Sequence, residues 1–148
     1  MTRVHPPELR HLVHESVPRM IVALGMPRSL ARKIAQRGCS SAASRERLIY
    51  VRDEAWSLAK QRWQAGQKPE AERAELLATI TGLLALVLDV RGHDPELADA
   101  MIDRALALCT SWAITELAVH TAKPERLHEG WALSLARWFA GRRKPSVA

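Results

Sequence analysis

The stretch PEAERAELLATITGLLALVLDV, residues 69–90, decides the fold class. Its apolar residues Leu76, Leu77, Ile80, Leu83, Leu84, Val87 and Leu88 recur at spacings of one, three and four, which is helical rather than strand periodicity. Pro69 and Glu70 suit a helix start, and the last turns are apolar nearly all round. Such a helix is either the centre of the molecule or a dimer seam. Its longest uninterrupted apolar run, LLALVL at 83–88, is far too short to span a bilayer.

The same period extends in both directions. Upstream, Leu9, Leu12, Val13, Val17, Met20, Ile21 and Leu24 form one amphipathic stripe, with Pro18 expected to kink or restart the helix. Gly25 ends it, Pro27 starts a short helix to Arg37 with Leu30 and Ile34 inward, and Gly38 stops that one. Ser40, Ser41 and Ser44 are candidate N-caps for a helix to about Ala65, ended by Gly66, with Leu48, Val51, Ala55, Trp56, Ala59 and Trp63 inward.

Downstream, Asp94 as N-cap and Pro95 as first helical residue open a helix toward His120. Pro124 begins a last one, with Leu127, Trp131, Leu135 and Trp138 inward and Gly141 as its stop. Ala and Leu dominate the apolar positions and aromatics make up 5%, a mixture that favours helices over strands. The expectation is an all-α, compact single-domain bundle of five to six helices over residues 1–141, with a helix-turn-helix-like N-terminal half. Residues 142–148 form a basic tail.

Charge divides the chain. Residues 1–68 carry 13 Lys and Arg against 5 Asp and Glu, whereas residues 69–129 carry 5 against 11. A basic half joined to an acidic half fits a nucleic-acid-facing end and a partner-facing end. Cys39 and Cys109 are isolated, so neither a disulfide framework nor a metal knuckle is indicated, and the start MTRVHPPELRHLVHE has no apolar leader core. A cytoplasmic protein is expected.

No enzyme motif emerges. HLVHE at 11–15 places neither its acid nor its second histidine as the zinc-protease motifs require, so His11 and His14 are expected to be half-buried or surface residues. Glu96, Asp99 and Asp103 share a helix face in the manner the helix dipole favours. No nucleophile elbow, phosphate loop or dinucleotide fingerprint occurs, and no cofactor or metal is implied. Trp56 with Trp63, and Trp131 with Trp138, are spaced by seven and fall on apolar stripes, which points to packing rather than base stacking.

The candidate site is the basic segment SLARKIAQRGCSSAASRERLIYVR, Ser29 to Arg52, together with Arg28 just before it. Leu30, Ala31 and Ile34 reproduce the beginning of a helix-turn-helix, but Ala35 stands where Gly is usual and Gly38 comes three residues late. Arg28, Arg32, Lys33 and Arg37 would line the short helix, and Ser41, Ser44, Arg45 and Arg47 the first turn of the next, where hydroxyls and helix N-terminal amides suit phosphates. Arg52 lies close to the apolar stripe and is expected to snorkel or find an acid.

The sequence thus predicts a small DNA-binding protein, a regulator or accessory factor, that binds duplex DNA as a homodimer. The alternatives are an inhibitor or adaptor docking its basic face on an acidic protein partner, and an RNA-binding protein.

Overall fold

A computed structural model describes residues 7–36 and 40–122, with the side chains of 119–122 left out. The described residues are helical throughout, with short connections and no strand among them. The expected helix 124–141 lies outside them, as do Arg37, Gly38 and Cys39.

The first rod is continuous. Helix α1 (Pro7–His11) runs into a π-helical segment (Leu12–Ser16) and on into α2 (Val17–Ala23), with right-handed helical angles at both junctions. Pro18 therefore neither breaks nor restarts the rod. Its missing N–H and the clash of its ring with the preceding turn are accommodated by widening that turn, and the Val17 N–H bonds the Leu12 carbonyl five residues back. Leu9, Leu12, Val13, Val17, Met20 and Ile21 are buried, as the stripe predicts.

Gly25 closes the rod with φ +77°, and the Met26 N–H reaches the Ile21 carbonyl while the Gly25 N–H reaches that of Val22. This Schellman turn needs a residue at ease in the left-handed region. A Gly25→Ala variant is expected to lose about 1 kcal/mol, read from its urea midpoint, although a Cβ there meets nothing within 4 Å.

After Met26 and Pro27 comes α3 (Arg28–Ala35), with Pro27 as its N-cap rather than its first helical residue. Ser40 then caps α4 (Ser41–Gln64), its Oγ accepting the Ala43 N–H at 3.2 Å. A second glycine turn, Gly66 at φ +74°, leads into α5 (Lys68–Val90). Asp94 caps α6 (Pro95–Ala122) through a 3.1 Å bond from the Leu97 N–H, as its place before Pro95 implies.

Helices α4 and α5 form an antiparallel hairpin whose register is pinned along its length. Ser41 meets Arg91, Arg45 meets Asp89, the Arg52 side chain lies over Gly82, and Trp63 meets Glu75. Small residues make the close approach possible: Ala55 and Ala59 face Ala71, Ala74, Ala78 and Ala85, all buried. The opposite side of α5 receives α6 through Leu77, Ile80, Leu84, Ile102, Ala105, Cys109 and Trp112. Residues 69–90 are thus the central helix.

One stripe is rotated from expectation. Trp56 and Trp63 are 46% and 43% exposed, while Leu48, Val51, Ala55 and Ala59 carry the packing. Each tryptophan lies one position past the buried line, about 100° around the helix, so the shared spacing of seven holds but the face does not. Trp131 and Trp138 lie outside the described residues.

Candidate nucleic-acid interface

The eight sequence-selected residues divide into groups. Arg28, Arg32 and Lys33 are exposed on α3, and their side chains meet no hydrogen-bond or ion-pair partner among the described residues. No acid stands on that helix, whereas each of the others holds at least one. Arg28 and Arg32 are one turn apart and share a face, with Lys33 beside them.

The α4 members are already engaged. The Arg45 Nε stands 2.7 Å from an Asp89 carboxylate oxygen, and Arg47 donates to the Lys33 carbonyl at 3.1 Å, tying the end of α3 to α4. Ser41 accepts from Arg91, whose guanidinium pKa burial lowers. Ser41 and Ser44 line a small crevice with Leu9, Arg10, Val13, His14, Leu88 and Arg91, which turns them toward the first rod. The amides at the start of α4 are capped by Ser40 rather than open to a ligand. Arg37 lies outside the described residues.

Arg52 satisfies both expectations for it. Its methylenes lie against Gly82 and its head pairs with Asp53 at 3.0 Å. His14 is half-buried, and its Nδ1 lies 3.1 Å from the Ile34 carbonyl, which requires Nδ1 to carry the proton and to donate. This bond and that of Arg47 fasten α3 from both sides. His11 pairs with Glu15 at 2.6 Å, and no group of three metal-ligating residues occurs among the described residues.

Two grooves flank α3. One, of about 410 Å³, lies against α2 and is lined by Pro18, Arg19, Val22, Ala23, Ala31, Arg32 and Ala35. The other, of about 350 Å³, lies against α4 and includes Leu30, Lys33, Glu46, Tyr50 and Glu54. The sequence did not single out Tyr50, which is 54% exposed.

Cys109 is buried in the α5–α6 contact, and burial pushes its thiol up to about 12. In a Cys39→Ser variant, a thiol reagent at pH 8 is therefore expected to leave the native protein unlabelled and to label it only on denaturation, read by intact mass. The raised value makes this thiol's contribution to stability complete below its unfolded pKa, near 8.5, and progressively lost as pH rises from there toward 12.

No helix among the described residues is long and apolar enough to cross a membrane. No family model, curated protein or solved structure matches the chain.

Proposed function

We propose that the protein binds duplex DNA through a helix-turn-helix-like unit formed by α2 and α3, with α3 as the helix presented to the groove. One observation carries this reading. Two short helices are joined by four residues, Leu24 to Pro27, that contain a positive-φ glycine, and the second helix is cationic and unpaired on its outer side. Met20, Leu24, Met26, Ala31 and Ile34 bury the inner side of this corner, which leaves Arg28, Ser29, Arg32 and Lys33 outward.

The reading moves the elbow one helix earlier than the segment 29–52. Helix α4 suits a recognition role poorly, because it is 24 residues long, is packed along α5, and has Arg45 and Arg47 committed at its start. On α3 the cations are available for phosphates, and Arg28 and Ser29 stand at the N-terminal end, where a recognition helix meets base edges.

Fluorescence anisotropy with random duplex DNA across a salt series tests this. Affinity is expected to fall log-linearly with salt, with a slope of at least about −3 from α3 alone. Absence of binding at low salt would remove the proposal.

A second reading has one observation in its favour. The apolar floor of the α2–α3 groove, with Arg32 at its rim, suits a short amphipathic segment of an acidic protein partner. Retention of such a partner after nuclease treatment, with no DNA binding, would favour it.

A further inference from the structure

We infer that the outer face of the α4–α5 hairpin is a homodimer interface, on which a second copy of this chain packs to complete a four-helix bundle. The inference stands on the hairpin alone and holds whether or not α3 binds DNA.

Both helices carry an unfinished seam. On α5, Leu76, Thr79, Leu83, Leu86 and Val90 follow one another at spacings of three and four, and none is fully buried although the rest of the helix is packed on two sides. Leu86 is 47% exposed. On α4, Ile49, Trp56 and Trp63 repeat every seven residues, and each remains at least partly exposed. The contacts of Arg52 with Gly82 and of Trp63 with Glu75 put the two seams side by side on one face. Two tryptophans in an apolar surface that wide are what an interface uses and what an isolated surface avoids.

Charge selects the occupant. The α4 edge of this face carries Arg45, Arg52 and Lys60 against one acid, Asp53, and the α5 edge carries Glu72, Glu75 and Asp89 against one cation, Lys68. A two-fold axis parallel to the helices lays α4 of one copy on α5 of the other, so unlike edges meet at both crossings. The surface is therefore complementary to itself. Packing of two such antiparallel pairs is the ordinary four-helix solution for helices whose seams repeat in this way. The seam lies on the α5 side of α4, whereas Arg47, Tyr50 and Glu54 line the edge toward α3, so pairing leaves α3 uncovered.

Sedimentation equilibrium of the full chain without nucleic acid, from sub-micromolar to about 100 micromolar, tests the inference. The expected result is a twofold mass with a concentration-dependent midpoint, accompanied by a blue shift of tryptophan emission. A Trp56→Glu, Leu86→Glu double variant is expected to keep its helical circular dichroism and to sediment as a monomer. Should that variant unfold, Lys60→Glu decides instead: it weakens the dimer at least tenfold, and adding Glu72→Lys restores it. A wild-type monomer across the whole range, a dimer unmoved by these substitutions, or a monomer whose tryptophans are already shielded by its own residues would overturn the interface.

Discussion

Replacing Arg73 by alanine is expected to destabilise the protein by about 3–5 kcal/mol and to lower its melting temperature by on the order of 10 °C. Arg73 on α5 and Glu116 on α6 are 6% and 3% exposed, and an Arg73 guanidinium nitrogen donates directly to the Glu116 carboxylate. Removing the cation leaves a carboxylate buried between two helices without its counter-charge, and that cost exceeds what the pair contributes while intact. The Arg73 Nε and, one turn before Glu116 on α6, the Trp112 Nε1 find no acceptor among the described residues, so the pair is held at high cost.

A double replacement separates the two effects. Arg73→Met with Glu116→Leu removes both charges at similar volume and is expected to restore stability to within about 1 kcal/mol of wild type or to exceed it. Thermal melts of the two single variants and the double variant form the cycle. A double variant as unstable as the singles would show that the pair is a net stabiliser instead.

The second large effect is on binding. Changing Arg28, Arg32 and Lys33 together to glutamine is expected to reduce the salt slope of DNA binding by about 3 and affinity at 0.1 M salt by roughly 10²–10³-fold, since each phosphate contact contributes about 0.9 to the slope. All three side chains are exposed and unpaired, so stability should change by less than about 0.5 kcal/mol. Arg45→Gln is expected to change binding far less, because that guanidinium already faces Asp89 at 2.7 Å. A triple variant with the wild-type slope would mean that DNA, if bound, is held elsewhere.

The contrast between Arg28 and Arg45 shows where sequence reading stops. Both are arginines near a helix start in the basic half, and nothing local distinguishes them. What does is Asp89, 44 positions after Arg45, brought alongside by the antiparallel hairpin. Ser41 is similar: its hydroxyl is directed by Arg91, from the end of the following helix.

The sequence by itself determined the all-α class, the central place of residues 69–90, the glycine stops at Gly25 and Gly66 and the cap at Asp94, because periodicity, positive φ and capping act over a few neighbouring residues. It could not rank faces that differ by one residue in phase, so Trp56 and Trp63 were placed inward although Ala55 and Ala59 take that place. Only the tertiary structure decided that, because the close α4–α5 approach admits alanine and excludes an indole. It also decided which cations stay unpaired, since ion pairing depends on distances across helices that no local pattern encodes.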